Sequence, residues 1–257
     1  MSRPRAYLFD LDGTVYRGSE PCPYAADVLG ELCREGFVVR YLTNNSAARP
    51  DQVTHKLHAM GIPCEPEWVI SSTHVAAAWC LSHGVSQVAG IGEIGLFQTL
   101  HDTGVGAIPA EECGSAEALV VGICRSFTYA MMSAGLDLVR GGATFVATNR
   151  DATYPLEGGR FQPGAGALVA SLETCAGVEP LVMGKPEPAM ISLALAGTGI
   201  SPAEALMVGD RRDTDIACGL AAGCPTWLVL TGVETELMPG ESGSPDLRGL
   251  RERALGA

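Results

Sequence analysis

The sequence is poor in positive charge, with 17 lysine and arginine residues against 29 aspartate and glutamate residues and a net charge of −12. A chain this acidic repels nucleic-acid backbones and anionic membranes, so we expect neither as a partner. Long apolar runs are also absent, since none approaches the roughly 20 residues that a membrane span needs. The first predicted strand starts at Ala6, so we expect no signal peptide and a cytoplasmic location.

Cysteine pairs typical of metal sites are missing too. The chain has nine cysteines, an odd number, and none of them forms a Cys-x-x-Cys pair. We therefore expect reduced, mostly buried thiols rather than a disulfide framework or a zinc site. Charged residues make up 18% of the chain and apolar residues 47%, which is typical of a globular protein and not of a disordered one.

Short apolar runs alternate with helical patterns along the chain. This order is typical of a doubly wound parallel sheet with helices on both faces. In the first part, strands are predicted at 6–9, 37–42 and 68–71, and helices at 23–34, 51–60 and 73–81. In the second part, strands are predicted at 86–91, 117–121 and 143–147, and helices at 127–139 and 165–176. In the last part, strands are predicted at 205–208 and 226–230, and helices at 188–195, 215–222 and 247–255.

The restart of the pattern near residue 82 predicts a second α/β unit of about 100 residues, large enough for a small core of its own. We predict an α/β fold with a Rossmann-like core from 1–81 and 180–257 and an inserted α/β domain at 82–179. The Gly/Pro-rich segment 156–166 is predicted to be a loop. An apolar strand is not evident before the last predicted helix.

Two acids one residue apart follow the first predicted strand. Asp10 and Asp12 precede Gly13, which lets the backbone turn sharply. Side chains two residues apart point to the same side while the chain stays extended, so the two carboxylates repel each other. They therefore indicate a bound cation, a shared proton or a catalytic role.

Three interpretations of this pair compete. The first is an Asp/Gly-rich turn that only ends a strand. The second is a calcium loop, but an EF-hand beginning at Asp10 needs Gly and Glu where the chain has Val15 and Pro21, so it is excluded. The third is a catalytic aspartate pair that binds magnesium and acts on phosphate.

Three polar segments occur later in the chain, and two of them follow predicted strands. Thr43, Asn44 and Asn45 come after the second predicted strand, where a turn with a helix N-cap explains them equally well. Lys185 stands between Gly and Pro, which by itself is typical of a surface lysine before a helix. The segment Gly-Asp-Arg-Arg-Asp-Thr-Asp follows the strand predicted at 205–208.

In this order, the four segments resemble the four motifs of the haloacid dehalogenase (HAD) superfamily. Asp-Leu-Asp-Gly-Thr-Val-Tyr at 10–16 resembles the first motif, Thr43 the second and Lys185 the third. The form Gly-Asp-x-x-x-x-Asp resembles the fourth, which selects Asp210 and Asp215 and leaves out the acid between them. The insert resembles a C2-type cap. The Thr-Asn-Asn-Ser, Gly-Lys-Pro and Thr-Gly-Val segments resemble the NagD / para-nitrophenyl phosphatase-like subfamily.

The resemblance implies a magnesium-dependent phosphatase that hydrolyses a small phosphorylated metabolite. It implies that Asp10 attacks phosphorus and forms an aspartyl-phosphate, and that Asp12 gives a proton to the leaving group and later takes one from water. It further implies that Mg²⁺ is bound by Asp10, the backbone carbonyl of Asp12 and Asp210, with Asp215 behind them orienting water or the motif lysine.

The resemblance also implies which residues bind the substrate. Lys185 and Thr43 are expected to hold the phosphoryl oxygens. Asn44 and Asn45, with the cap segment 149–166, are expected to line the pocket for the leaving group. Pairing of two copies through the cap is expected by analogy with relatives.

Two other functions stay open for the same residues. A phosphomutase or phosphotransferase would use the same Asp10 chemistry with a different acceptor. A non-catalytic sensor of phosphorylated metabolites would not need the nucleophile, which makes the intact motif an argument against it. In all three cases the expected partner is a small-molecule phosphate ester.

Overall fold

The structure, a computed structural model, describes residues 3–155 and 160–255. The chain divides into two compact units. The core unit comprises Met1–Thr43, Pro50–Ile70 and Lys185–Ala257, and the insert unit comprises Asn44–Arg49 and Ser71–Gly184. Among the described residues, no helix has the length and apolar character required of a membrane span.

The elements are numbered in chain order. The strands are β1 (Ala6–Asp10), β2 (Tyr16–Arg17), β3 (Glu20–Pro21), β4 (Val38–Thr43), β5 (Val69–Ser71), β6 (Gln87–Ile91), β7 (Gly106–Pro109), β8 (Ala118–Val121), β9 (Thr144–Ala147), β10 (Thr153–Pro155), β11 (Phe161–Pro163), β12 (Leu181–Val182), β13 (Ala205–Gly209), β14 (Thr226–Val229) and β15 (Gly243–Ser244). The α-helices are α1 (Ala25–Arg34), α2 (Pro50–Ala59), α3 (Ser72–Ser82), α4 (Ile94–Asp102), α5 (Tyr129–Arg140), α6 (Ala165–Ala176), α7 (Ala189–Leu195), α8 (Ala217–Ala221) and α9 (Leu247–Leu255).

A six-stranded sheet forms the centre of the core unit, in the order β15-β14-β13-β1-β4-β5. Strand β1 lies between β4 and β13 and pairs with both in parallel, and all five of its residues are buried. Its apolar run is therefore that of a strand covered on both faces. Because parallel strands end at the same edge, the carboxyl ends of β1, β4 and β13 are neighbours there. The predicted doubly wound α/β fold is confirmed.

The insert unit has a parallel sheet of its own, in the order β12-β9-β8-β6-β7. Its apolar core includes Leu119 of β8, Phe145 of β9 and Leu172 of α6, all of them buried. Helix α4 and strand β7 were not predicted from the sequence. Strand β7 has only four residues, all half-buried, so it carries little apolar signal.

Helix α3 belongs to the insert unit by its contacts, where it packs against α4. The sequence analysis had placed this helix in the first segment of the core, with boundaries after residues 81 and 179. In the structure the chain instead passes between the two units at Thr43–Asn44, Arg49–Pro50, Ile70–Ser71 and Gly184–Lys185.

Two short strands differ from the predictions. The loop predicted at 156–166 was wrong at Phe161–Pro163, which forms β11 and pairs antiparallel with β10. Residues 156–159 of that loop lie outside the described residues. Strand β15 pairs with β14 ahead of α9, where no strand was evident in the sequence. A Cβ at Gly243 would lie 2.3 Å from the carbonyl oxygen of Leu228, so this strand needs glycine in place of an apolar side chain.

Candidate active site

Three buried carboxylates meet at the carboxyl edge of the core sheet. Asp10 is the last residue of β1, Asp210 directly follows β13, and Asp215 lies in the turn after it. One carboxylate oxygen of each lies within 4.8 Å of the others. Such a set of hard oxygen ligands is the kind that Mg²⁺ and Ca²⁺ prefer.

A buried lysine joins two of these acids. Lys185 is 3% exposed, and its Nζ donates to Oδ1 of Asp10, to Oδ1 of Asp215 at 2.7 Å and to the backbone carbonyl of Leu42 at 3.2 Å. Burial opposes the charge of the ammonium, but the two carboxylates outweigh it and raise the pKa of Lys185 above its ordinary value. The surface-lysine interpretation of the Gly-Lys-Pro segment is therefore wrong.

The cluster has an excess of negative charge. Burial raises the pKa of Asp10 well above that of a free aspartate; Lys185 opposes this rise, while Asp215 and Asp210 add to it. Burial, followed by the charge of Asp215, raises the pKa of Asp210 to about 6. Three carboxylates against one ammonium leave two negative charges when all are ionised. A divalent cation offsets that charge, so these residues fit one.

Hydrogen bonds distinguish Asp215 from Asp210. Oδ2 of Asp215 accepts from the backbone N–H groups of Asp210 and Arg211, at 3.2 and 3.1 Å, and its Oδ1 accepts from Lys185. Each oxygen of Asp210 accepts one bond, from the hydroxyl of Thr14 and from the N–H of Val233. Asp210 therefore keeps more lone pairs for a ligand than Asp215 does.

The turn after β13 explains how both acids reach the cluster. Residues Arg212–Ile216 form a single π-helical turn that directs Asp215 back towards the strand end. A Cβ at Gly209 would lie 2.2 Å from Cβ of Asp215, so only glycine permits this return. Asp213 instead pairs with Arg211 and is largely exposed, which agrees with its omission from the motif.

Two glycines surround Asp210. A Cβ at Gly13 would lie 2.6 Å from its Oδ2, and a Cβ at Gly232 would lie 1.8 Å from the same atom. The hydroxyl of Thr231 donates to the carbonyl of Gly13 at 2.7 Å and joins the two sides of this enclosure. Space around the carboxylate is therefore filled by backbone rather than by side chains.

Gly232→Ala should destabilise the protein by about 1–3 kcal/mol, because the added methyl group displaces a buried, hydrogen-bonded carboxylate. Urea denaturation measures the free energy of unfolding. Gly114→Ala is the matched control, since a Cβ at Gly114 meets no atom within 4 Å. Equal stabilities of Gly232→Ala and the wild type would show that Asp210 moves aside without cost.

Asp12 differs from the buried acids because its residue is exposed to solvent. Its Oδ2 accepts a hydrogen bond of 3.2 Å from the hydroxyl of Tyr16. The protein atoms packed around it raise its pKa, while Lys56 and the Tyr16 hydroxyl lower it. Because solvent reaches the residue, we take the rise to be smaller than at Asp10. Burial raises the pKa of Tyr16 well above its ordinary value, which keeps the hydroxyl protonated as a donor.

Thr43 ends β4 in the core unit and is buried. Asn44 and Asn45 belong to the insert unit, where their contacts are of different kinds. The amide of Asn44 donates to Asp151 at 3.1 Å. The amide oxygen of Asn45 accepts from the N–H of Ala47 at 2.9 Å. This local hydrogen bond is typical of a turn, the other interpretation of the segment after β4.

Comparisons with known proteins address the family. Residues 7–106 match the family model described as haloacid dehalogenase-like hydrolase, and residues 182–247 match one described as HAD-hydrolase-like. The acid sugar phosphatase of Staphylococcus epidermidis (strain ATCC 12228) is 38% identical over 236 residues, which cover 91% of this chain and 90% of the relative. The chain belongs to the haloacid dehalogenase-like hydrolase family. The predicted resemblance is confirmed.

Other HAD relatives are similar to the chain over most of its length. The 5'-nucleotidase YutF of Bacillus subtilis is 38% identical over 91% of this chain and 90% of its own. The structure of the p-nitrophenyl phosphatase from Archaeoglobus fulgidus matches with a TM-score of 0.89 and 28% identity, over 98% of this chain and 100% of that one. A glycerol phosphate phosphatase from Mycobacterium tuberculosis, solved with calcium, matches with a TM-score of 0.86 and 33% identity, over 96% and 74%.

These relatives confirm the predicted enzyme class, a phosphoric monoester hydrolase of the HAD family, whose substrates are small phosphorylated molecules. The roles of the individual residues stay predictions. The sequence analysis assigned no role to Thr14, Tyr16, Lys56 or Gly232, which lie close to the acids in the core unit. The first two lie inside the first HAD motif and Gly232 lies in the Thr-Gly-Val segment, whereas Lys56 lies in an ordinary helical pattern that does not indicate a site.

Proposed function

We propose that this HAD phosphatase hydrolyses a small phosphate monoester through an aspartyl-phosphate on Asp10, with Mg²⁺ as its metal. The observation that carries the proposal is the buried lysine between two carboxylates: Lys185 contacts Asp10 and Asp215 next to Asp210. This arrangement supports the proposal, because it brings the proposed nucleophile, a buried positive charge and carboxylates that fit a divalent cation to one edge of the sheet. Phosphoryl transfer is catalysed mainly by such positioning and electrostatic stabilisation.

The proposed first step takes place at Asp10. Lys185 opposes the effect of burial and so favours the ionised, nucleophilic carboxylate. One Asp10 oxygen bonds to phosphorus while the ester P–O bond breaks, and the Asp12 carboxyl gives its proton to the departing oxygen. Lys185 and Thr43 stabilise the phosphoryl oxygens.

The proposed second step releases phosphate. Asp12, now ionised, takes a proton from the water that attacks the aspartyl-phosphate, and the bond between phosphorus and Asp10 breaks. Asp10, the backbone carbonyl of Asp12 and Asp210 would hold the metal, while Asp215 fixes Lys185 through its Oδ1. When bound, Mg²⁺ supplies positive charge that offsets the acidic cluster and the phosphoryl group.

Hydrolysis of p-nitrophenyl phosphate should therefore require Mg²⁺. Chelation with EDTA is expected to lower the rate and added Mg²⁺ to restore it, with inorganic phosphate measured as the product. In Asp210→Asn, the Mg²⁺ concentration for half-maximal rate should rise at least about 10–100-fold, because losing a direct ligand should cost no less than losing an outer partner of one.

The matched control is Asp213→Asn, which removes an exposed acid of the same segment and should leave the Mg²⁺ requirement unchanged. Full activity after complete metal removal would contradict the proposal. Measuring phosphate release also separates hydrolysis from transfer to another acceptor, which a mutase or phosphotransferase would carry out.

The proposal names a phosphate monoester as substrate but does not specify its leaving group. Relatives are named acid sugar phosphatase, 5'-nucleotidase and glycerol phosphate phosphatase, so a panel of sugar phosphates, nucleotides and glycerol phosphate is the direct test. For the predicted pocket residues, the support lies inside the insert unit, where the amide of Asn44 donates to Asp151 and the amide of Asn149 donates to the Asn44 carbonyl. Pairing through the insert unit and a cytoplasmic location stay proposals that rest on the sequence.

A further inference from the structure

Tyr16 is held firmly beside Asp12. Its residue is 3% exposed, its N–H donates to the carbonyl of Leu11 at 3.1 Å, and its own carbonyl accepts from the N–H of Gly13 at 2.8 Å. These bonds close a tight loop around the first motif, and Asp12 and Tyr16 form an isolated bridge across it. The position of the ring and of its hydroxyl is thereby fixed relative to Asp12.

Lys56 lies over the Tyr16 ring. It lies in α2, is half-buried, and places its Nζ 3.5 Å from the centre of the Tyr16 ring. An ammonium group over an aromatic face is attracted by the electrons of the ring. Tyr16 is therefore fixed through its backbone, through its ring and through its hydroxyl, which donates to Oδ2 of Asp12.

Asp12 is the acid that needs such help. Asp10, Asp210 and Asp215 are buried, whereas Asp12 is exposed and its carboxyl group rotates unless a contact restrains it. A proton donor must also point at the departing oxygen in order to act.

We propose that Tyr16 and Lys56 are positioning residues for Asp12. The Tyr16 hydroxyl restrains one oxygen of the carboxyl group and leaves the other directed at the leaving group, and Lys56 holds the ring that carries this hydroxyl. The inference rests on the proposed function, because it assumes that Asp12 is the proton donor of the first step.

The proposed role can be tested by comparing two substrates whose leaving groups differ in basicity. p-Nitrophenolate departs with little need for a proton, whereas the more basic phenolate needs one in the transition state. Phenyl phosphate and p-nitrophenyl phosphate have nearly the same shape, so they compare proton donation without changing the fit. The ratio kcat/KM is the quantity to compare, because it covers the reaction up to the departure of the leaving group.

Tyr16→Phe keeps the ring and removes only the hydroxyl. It should lower kcat/KM for phenyl phosphate about tenfold, a part of the 10²–10⁴-fold effect of general acid catalysis, and change p-nitrophenyl phosphate by less than about twofold. Lys56→Met should also lower kcat/KM for phenyl phosphate more than kcat/KM for p-nitrophenyl phosphate, but by a smaller factor than Tyr16→Phe does. Thermal unfolding of each variant reports on its fold.

Tyr24→Phe is the matched control. The Tyr24 hydroxyl accepts a hydrogen bond of 3.3 Å from Arg248, whose guanidinium also lies 4.8 Å from the ring centre, but this tyrosine contacts none of the four acids described above. Tyr24→Phe should leave kcat/KM for both esters unchanged. Equal losses on both esters in Tyr16→Phe, or no loss on either, would overturn the inference and leave the phosphatase in place. A wild type that releases phosphate from neither ester would remove the proposed function and this inference with it.

Discussion

Asp10→Asn is expected to lower the rate of phosphate release by about 10⁴-fold or more while the protein stays folded. Loss of a covalent nucleophile usually has an effect of this size, because only catalysis by binding and by the remaining charges persists. Asparagine has nearly the shape of aspartate, and its amide oxygen still accepts the hydrogen bond from Lys185. The substitution also removes one negative charge from a cluster that has an excess of them.

The measurement combines phosphate release from p-nitrophenyl phosphate with thermal unfolding of the same sample. Asp213→Asn is again the control, because it removes a carboxylate of the same segment that pairs with Arg211 and has a side chain 66% exposed. Turnover in Asp10→Asn near that of the wild type would exclude an aspartyl-phosphate at this residue.

Lys185→Met should have the largest effect on stability, about 3–5 kcal/mol, together with a loss in rate of about a hundredfold or more. Methionine fills a similar volume but leaves the Asp10 and Asp215 carboxylates buried close together without their shared ammonium. Urea denaturation without Mg²⁺ gives the free energy of unfolding. Added Mg²⁺ should recover part of the stability, because a cation at the acidic cluster replaces part of the lost charge.

Arg5→Met provides the comparison on the surface. Arg5 pairs with Glu204 at 3.0 Å, but both side chains are exposed, so solvent screens their attraction and little stability should be lost. An unfolding free energy of Lys185→Met as high as that of the wild type would mean that the buried lysine is not needed to neutralise the acids.

The central fold and the acidic cluster were predictable because their signals are local in the sequence. Strand β1 is an apolar run that ends at Asp10, and the parallel arrangement brings Asp210 to the same edge. For Lys185 the residues alone favoured the surface, and only the resemblance to HAD proteins indicated a catalytic role. Its burial depends on partners that lie far away in the chain.

Other features were unpredictable because they depend on packing. The contact of Lys56 with the Tyr16 ring follows from where α2 lies against the first motif, and the sequence pattern of a helix does not record this placement. Strand β15 was missed because its two residues, Gly243 and Ser244, are not apolar. It pairs with β14, where the close approach of the two backbones requires glycine at 243.

The order of strands in the core sheet has a consequence for synthesis on the ribosome. One edge of β1 pairs with β4, which is synthesised soon after it. The other edge pairs with β13, so Ala6 has no partner there until Ala205 has been synthesised. At about 5–20 residues per second, the ribosome needs about 10–40 s to make the intervening chain. During that time the nascent protein carries Asp10 and Thr43 on a half-formed sheet, without Lys185 or Asp210. Catalytic competence therefore arises late in translation, and until then the edge of β1 that later pairs with β13 is open to pairing with other strands.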